Sequence, residues 1–171
     1  MRIMTWNINS VRLRAPLLLQ AMARLQPDVV ALQETKCPDE LFPAQVFADA
    51  GYTHQHINGM KSYNGVAILS RVPLHKPNIY DRVGRTDCRH ISASITRTSD
   101  GQMVEIHNIY IPAGGDIPDP QVNEKFEHKL GFVRDVTQFF GSSVPSRIVV
   151  GDFNIAPLEH DVWSHKQLLD V

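Results

Sequence analysis

Residues 28–34 read Asp28-Val29-Val30-Ala31-Leu32-Gln33-Glu34, an apolar run that ends in an amide and a carboxylate. An unbroken apolar run of this length predicts a strand that is buried on both faces. Such a strand needs cover on each side, so the run indicates a layered α/β domain in which helices cover sheets. Glu34 stands at the end of the predicted strand, where a rigid sheet can present a side chain to a site.

Helical and extended patterns alternate on either side of this run. Apolar residues recur at helical spacing over 11–25, 40–50 and 123–140, which predicts three helices. Alternating or continuous apolar segments predict further strands, and Asp100-Gly101 is typical of a hairpin turn between two of them. These strands are expected over 2–8, 66–70, 91–98, 104–111 and 147–150.

Each predicted helix has an apolar face that we expect to point inward. Ser10 or Pro16 could open the first helix, and Pro16 fits only if it lies in the first turn, where its missing N–H costs little. Gly51 is expected to end the second helix. The residues expected to face inward are Leu13, Leu17, Leu18, Ala21, Met22 and Leu25 in the first helix, Phe42, Val46, Phe47 and Ala50 in the second, and Phe126, Leu130, Val133, Thr137 and Phe140 in the third.

The composition is that of one soluble globular domain: 171 residues, 43% hydrophobic and 20% charged. No apolar run approaches the roughly 20 residues that cross a bilayer, and the first residues lack the pattern of a secretion signal. The cytoplasm is therefore the expected location. Cys37 and Cys88 are far apart and are interpreted as ordinary thiols rather than as a disulfide or a zinc site.

The formal net charge of −1 argues neither for nor against a nucleic-acid partner. Scattered cations such as Arg12 and Lys36 are more often solvated surface than phosphate ligands. A case for DNA must therefore come from motifs.

Several predicted strands finish in a polar cluster, and these clusters contain Asn7, Glu34, Tyr110, Asp152 and Asn154. If the strands are neighbours, two carboxylates and two amides can converge at one rim of a sheet, which suits a hard cation such as magnesium. Each residue also has an ordinary interpretation: Asp152 and Asn154 as turn residues, Glu34 as a solvated strand end, and Tyr110 as a core aromatic.

The order of the motifs resembles the exonuclease III branch of the endonuclease/exonuclease/phosphatase superfamily. The resemblance covers essentially the whole chain and implies a four-layer α/β sandwich of two facing sheets. The matching stretches are Thr5-Trp6-Asn7-Ile8-Asn9-Ser10-Val11-Arg12, Leu32-Gln33-Glu34-Thr35-Lys36, Tyr63-Asn64-Gly65-Val66-Ala67, Tyr110-Ile111-Pro112 and Gly151-Asp152-Phe153-Asn154-Ile155-Ala156-Pro157.

The resemblance also implies roles for single residues. Glu34 is the main magnesium ligand, with manganese as an alternative ion, and Asn7 lies beside it in the metal shell together with Asp152 and Asn154. Asp152 moves a proton or orients the attacking water, the Asn154 amide stabilises charge on phosphoryl oxygens, and Tyr110 donates a hydrogen bond to the scissile phosphate. The substrate-binding residues are Arg12, Lys36, Tyr63 and Asn64.

Two departures from the family pattern stand out. Ala113-Gly114-Gly115 replaces the usual Asn-Gly after Pro112, and the family's Ser-Asp-His with its preceding acid has no counterpart. The resemblance therefore implies that residues 1–171 form a single domain that is truncated on its C-terminal side. We expect this chain alone to be inactive and poorly stable, because 29–32 and 148–150 need cover on both faces. The histidines, including His90 and His107, are interpreted as surface or packing residues.

The function that this resemblance implies is magnesium-dependent hydrolysis of DNA phosphodiesters in base-excision repair. The enzyme would act as an abasic-site endonuclease and 3′-to-5′ exonuclease on double-stranded DNA, abasic or nicked, without an obligate protein partner or a membrane. One alternative is a phosphatase or phospholipase with the same fold, because a fold does not determine a substrate. The other alternative is an inactive nucleic-acid-binding fragment.

Overall fold

A computed structural model describes residues 1–97, 99–141 and 146–168, except for the side chain of His165. The chain divides into two compact units. The first contains Met1–Tyr110 and the strand Arg147–Asp152, and the second contains the described parts of Ile111–Ser143 and Phe153–Val171. None of the helices in the described part of the chain is long and apolar enough to cross a membrane.

The first unit contains two four-stranded sheets. In the first sheet the strand order is β1-β2-β4-β3, with β1 parallel to β2 and the other neighbours antiparallel. In the second sheet the order is β5-β6-β7-β8, with only β7 and β8 parallel. The strands are β1 (Ile3–Asn7), β2 (Val29–Gln33), β3 (His54–Met60), β4 (Tyr63–Ser70), β5 (His75–Ile79), β6 (His90–Thr96), β7 (Met103–Tyr110) and β8 (Arg147–Asp152).

Two apolar clusters hold this unit together. One lies between the facing sheets and joins residues such as Val29 and Ile68 of the first sheet to Ile91 and Ile106 of the second. The other lies on the opposite face of the first sheet, where two helices, α1 (Val11–Leu25) and α2 (Ala44–Asp49), pack against Leu32 and its neighbours. β2 is therefore buried on both faces, as its sequence predicts. The mixed α/β fold class with two facing sheets is confirmed.

The bounds of α1 agree with the prediction, and Leu18 and Met22 are buried as predicted, but the rest of its inward face is different. The buried residues are Val11, Ala15, Leu18 and Met22, whereas Leu13, Leu17 and Leu25 are exposed. The helix is rotated so that the 11-15-18-22 row meets the sheet, and the apolar pattern was too broad to distinguish this row from its neighbour. Of the two residues that could open the helix, Ser10 is the N-cap, and Pro16 lies inside the helix, where it removes one backbone hydrogen bond.

The helix predicted over 40–50 is shorter than expected. Pro43 separates a 3₁₀ turn at Asp39–Leu41 from α2, because a proline cannot supply the N–H that a continuous helix needs. Phe42 and Phe47 are buried as predicted, but Val46 and Ala50 are exposed. Gly51 ends α2 with φ of 95°, and the N–H of Tyr52 donates to the backbone oxygen of Phe47 at 3.0 Å, which completes the expected glycine stop.

The second unit contains the long helix α3 (Glu124–Phe140) and two 3₁₀ turns, Glu159–Asp161 and His165–Gln167. The Asn123 side chain caps α3 by accepting from the N–H groups of Lys125 and Phe126. The stripe predicted for this helix is partly wrong, since Leu130 and Thr137 are exposed and Phe132, which lies outside that stripe, is fully buried. Thr98, at the end of one predicted strand, lies outside the described residues.

Candidate active site

Two pairs of parallel strands bring polar side chains to neighbouring strand ends in the first unit. In the first sheet, Asn7 of β1 is the register partner of Gln33, the last residue of β2, and Glu34 follows directly. In the second sheet, Tyr110 of β7 is the register partner of Asp152 of β8. Because parallel strands end on the same edge, each sheet presents two of its polar residues together.

Hydrogen bonds join these four side chains into one cluster across the two sheets. Asn7 Nδ2 donates to Glu34 Oε1 and to Asp152 Oδ2, each at 2.7 Å. The Tyr110 hydroxyl donates to Glu34 Oε1 at 2.9 Å. The structure therefore brings together Asn7, Glu34, Tyr110 and Asp152, four of the five residues that the strand ends single out.

A tight turn holds Glu34 in position. Glu34 has φ of 53°, in the left-handed region that costs energy for a residue with a side chain. The neighbouring loop supports this turn, because the backbone oxygens of Gly65 and Asn64 accept from the N–H groups of Thr35 and Lys36, at 3.1 and 2.8 Å. A Cβ on Gly65 would lie 2.1 Å from Thr35 Oγ1, so only glycine allows this close approach.

Lys36 pairs with the carboxylate that it follows. Its Nζ lies 2.8 Å from Glu34 Oε2 and donates to Asn9 Oδ1 at 2.6 Å. Burial works against ionisation of Glu34 and is the largest single influence, but hydrogen bonds from Asn7, Lys36 and Tyr110 together outweigh it and lower the pKa of this carboxyl. Glu34 is therefore an anion at neutral pH.

Tyr110 is kept in its protonated form. Burial raises the pKa of its phenol, and the hydrogen bond to Glu34 and that residue's negative charge raise it further. A phenol that does not ionise can donate a hydrogen bond throughout the neutral range. The site thus contains two carboxylates, one amide and one fixed hydroxyl donor.

Arg89 is a neighbour of this cluster that the sequence reasoning missed. Its guanidinium carbon lies 4.7 Å from the centre of the Tyr110 ring, and Nη1 donates to the backbone oxygen of Tyr110 at 3.3 Å. Its Nε is 2.6 Å from Asp87 Oδ2, and the arginine is only 5% exposed. The polar run 87–90 before an apolar strand resembles the other strand-end clusters, and that was the available signal.

The predicted substrate-binding residues have different surroundings. Arg12 is exposed at the start of α1, and Tyr63 is exposed at the start of β4 with its ring near the Arg89 guanidinium. Asn64 is instead buried, and its Nδ2 donates to the backbone oxygen of Asp87 at 2.8 Å. Its side chain therefore supports the loop before β6 and does not face a substrate, which corrects the prediction for this residue.

Asn154 lies in the second unit. Its Nδ2 donates to the backbone oxygen of Ile111 at 2.8 Å, and its own backbone oxygen accepts from Lys129 Nζ at 2.6 Å. The same ammonium donates to the backbone oxygen of Ala113 at 3.0 Å. Lys129 of α3 thus connects the loop at Asn154 to the loop that departs from the family pattern at Ala113.

The cluster in the first unit has the chemistry that a hard cation requires. Glu34 and Asp152 offer carboxylate oxygens, which fits magnesium, an ion that typically takes one or two protein carboxylates and completes its shell with water and substrate oxygens. Asn7 turns its Nδ2 toward both carboxylates, while its Oδ1 accepts from the N–H of Asn9 at 3.2 Å. In the described part of the chain, no group of three or more histidine, cysteine, aspartate or glutamate residues could hold a metal ion.

Two facing sheets that bring two carboxylates, an amide and a tyrosine together at their strand ends define a mixed α/β protein with a candidate site for a hard cation. The chain matches the endonuclease/exonuclease/phosphatase family over residues 4–170, and it belongs to that family.

Three relatives show how the chain compares with known members. It is 30% identical to the exodeoxyribonuclease III of Haemophilus influenzae over 169 residues, which is 95% of this chain and 60% of that protein. The structure of an AP endonuclease from Archaeoglobus fulgidus matches 99% of this chain with a TM-score of 0.86 and 30% identity, and 63% of that chain is covered. The 3′ phosphatase NExo from Neisseria, bound to a product DNA hairpin, matches 98% with a TM-score of 0.84 and 30% identity, again with 63% covered.

The chain thus spans less than two thirds of the length of these relatives. The first two are named as nucleases, and the third is named as a phosphatase with DNA bound, so this chain is similar to nuclease-type enzymes.

Proposed function

We propose that the protein is a magnesium-dependent phosphodiesterase of base-excision repair. It cleaves double-stranded DNA at abasic sites and removes nucleotides from 3′ ends, including those at nicks, in the cytoplasm and without an obligate protein partner. Manganese can replace magnesium. The observation that carries the proposal is the hydrogen-bonded cluster of Asn7, Glu34, Tyr110 and Asp152 at the ends of two parallel strand pairs.

Each residue of the cluster has a chemical task in this proposal. Glu34, Asp152 and Asn7 hold the cation, which when bound supplies positive charge to the phosphoryl oxygens. Asp152 orients the attacking water and accepts its proton. Tyr110 donates its hydroxyl hydrogen to the phosphate, where negative charge develops in the transition state.

Residues around the cluster bind the DNA and stabilise charge. The two roles of Asn154, as a donor to a phosphoryl oxygen and as a ligand of the cation, stay predictions from the resemblance. Arg12 and Lys36 contact backbone phosphates, and Tyr63, which is 57% exposed, contacts the nucleotide. Asn64 acts only through the loop that it supports.

The names of the relatives favour DNA over a lipid as the substrate. Two are named as a DNA exonuclease and an AP endonuclease, and the third as a 3′ phosphatase with a DNA hairpin bound. The alternatives are a phosphatase or phospholipase with the same fold and an inactive nucleic-acid-binding fragment. Because the chain spans 60% of the Haemophilus relative, the proposal concerns the whole protein, and we expect residues 1–171 alone to be inactive.

A direct comparison of substrates tests the proposal. The protein, expressed with any coding sequence that continues beyond Val171, is incubated in magnesium with a duplex containing one abasic site and, separately, with vesicles containing an inositol phospholipid. We expect cleavage of the duplex to be much faster than phosphate release from the lipid. Faster turnover of the lipid would support the phospholipase alternative, and no cleavage with retained DNA binding would support the inactive one.

A further inference from the structure

A pair of buried amides joins the two sheets directly beneath the cluster. Gln33 is 1% exposed and Asn108 is fully buried, and Gln33 Nε2 donates to Asn108 Oδ1 at 2.7 Å. Asn108 Nδ2 in turn donates to the backbone oxygens of Leu32 and Ala67, each at 2.9 Å. Leu32 and Ala67 are register partners in β2 and β4. The Asn108 side chain of the second sheet therefore donates hydrogen bonds to two neighbouring strands of the first.

This amide pair lies beside the reacting groups along the chain. Gln33 immediately precedes Glu34, and Asn108 is two residues before Tyr110 and is the register partner of Val150, two residues before Asp152. The first sheet supplies Asn7 and Glu34 to the cluster, and the second supplies Tyr110 and Asp152. The relative position of the two sheets at this edge therefore sets the distance between the two halves of the cluster.

Stability alone does not require an amide pair at this place. Replacing both partners of a buried hydrogen bond with apolar groups of similar shape is often nearly neutral for stability. Apolar contacts have no direction and allow two sheets to slide, whereas three hydrogen bonds of fixed geometry allow one arrangement. Val66, Ile68, Ile91 and Ile106 already fill the space between the sheets with apolar side chains.

We propose that Gln33 and Asn108 are positioning residues for phosphodiester hydrolysis, because they fix the first sheet against the second and so place Glu34 and Asn7 relative to Tyr110 and Asp152. This inference rests on the proposed function. It predicts that rate and stability respond separately when the pair is changed, which a purely structural role does not predict.

The test uses the protein with any sequence beyond Val171 and compares two changes in the same core. In the first variant, Gln33→Met and Asn108→Leu replace the amide pair with apolar groups. We expect its urea midpoint to fall about as far as that of the control, because the buried backbone oxygens of Leu32 and Ala67 lose a donor. We also expect kcat on the abasic duplex to fall by about 100-fold while KM changes little, since a shift of about 1 Å in a reacting group can have that effect. In the matched control, Ile106→Val, we expect a lower urea midpoint and a wild-type kcat.

A second variant covers the case in which the apolar pair does not fold. Gln33→Asn with Asn108→Gln keeps both amides and the total volume but shifts their contact by one methylene, and we expect it to fold with kcat reduced about 10-fold. A wild-type kcat in either folded variant, a slow Ile106→Val control, or failure of both amide variants to fold would overturn the positioning role. If the wild-type protein cleaves no DNA in magnesium, the proposed function itself fails, so the two failures are distinguishable.

Discussion

At the residue scale, the Tyr110 hydroxyl joins the two halves of the cluster, because it donates from the second sheet to Glu34 beside the first. We expect Tyr110→Phe to lower the single-turnover rate on abasic duplex by on the order of 10-fold or more, since one hydrogen bond to a developing charge is lost. The fold should be retained, because the ring and its contact with Arg89 remain.

A matched variant separates this effect from the loss of any buried hydroxyl. Tyr80 lies in the same unit, and its hydroxyl is 3.1 Å from Ser92 Oγ, so Tyr80→Phe removes a similar group away from the cluster. We expect a wild-type rate for Tyr80→Phe. A wild-type rate for Tyr110→Phe as well would return Tyr110 to a packing role.

Glu34 is the residue on which the metal dependence rests. Its lowered pKa keeps the carboxylate charged at every pH above the ordinary value of 4.5, so Glu34→Gln resembles a protonated form that is rarely populated at neutral pH. We expect this variant to lose most of its rate and to need far more magnesium, without unfolding. Titration of the rate against magnesium, with Glu40→Gln as an exposed control, measures the effect. Undiminished activity in excess chelator would show that the metal assignment is wrong.

At the element scale, β6 and β7 carry a row of buried polar groups on the face away from the other sheet. Arg82 Nε donates to His90 Nδ1 at 3.0 Å, and His90 Nε2 is 2.9 Å from His107 Nδ1. His107 Nε2 lies 3.2 Å from Glu105 Oε2. An arginine can only donate, so His90 Nδ1 is an acceptor and His90 Nε2 carries the hydrogen that points to His107.

This row predicts a pH dependence of stability. Burial lowers the pKa of His90 from 6.5 to about 2, with the charge of Arg82 adding to the effect. The unfolded chain therefore binds a proton below pH 6.5 that the folded chain does not, so the free energy of unfolding falls as the pH decreases. The loss approaches about 1.4 kcal/mol per pH unit for one such histidine.

Urea unfolding between pH 7 and pH 5 tests this pH dependence, since that window lies above the range in which carboxylates titrate. His90→Gln keeps an acceptor for Arg82 and removes the titrating ring, so we expect stability to fall less steeply with acid in this variant. His160→Gln, at an exposed position, should leave the slope unchanged. An unchanged slope in His90→Gln would mean that His90 does not couple to folding.

Elements with local signals were the ones that the sequence predicted well. The bounds of α1 and α3 and the Gly51 stop depend on residues within one or two turns of the chain. β3 was missed because its sequence is polar and every residue is half-buried, so only pairing with β4 makes it a strand. β5 was missed because it is fully exposed and contains Pro77, so that it too is a strand only through pairing, in this case with β6.

The candidate site shows the same division between local and tertiary information. Polar residues after apolar strands predicted Asn7, Glu34, Tyr110 and Asp152, and the structure brings these side chains together, while their roles in catalysis stay predictions. The pairing of Gln33 with Asn108 could not be predicted, because each side chain is buried by a partner from a distant part of the sequence. For Arg89 the polar run 87–90 was the one local signal. His90 and His107 are buried, which agrees with the packing alternative of their prediction, but no local pattern indicates the row that they form.

At the scale of the whole molecule, the burial of β2 bears on the expectation that residues 1–171 leave apolar strand surface uncovered. Its residues are fully buried, because one apolar cluster covers each face within the described chain. The prediction that 29–32 leave apolar surface open to water is therefore wrong. Ile148 and Val150 of β8 are only partly buried against the cluster between the sheets.

These observations separate folding from activity in a last prediction. We expect residues 1–171, purified alone, to unfold cooperatively, because both apolar clusters of the first unit lie within them. We also expect them to cleave abasic duplex far more slowly than protein that includes any sequence beyond Val171, since nothing in them matches the family's Ser-Asp-His and its preceding acid, and Asp152 would act on water without that partner. Thermal unfolding and magnesium-dependent cleavage of the two proteins, measured side by side, test both halves. Equal activity would show that residues 1–171 contain the complete catalytic set, and a gradual melt would show that the two clusters do not suffice to hold the sheets together.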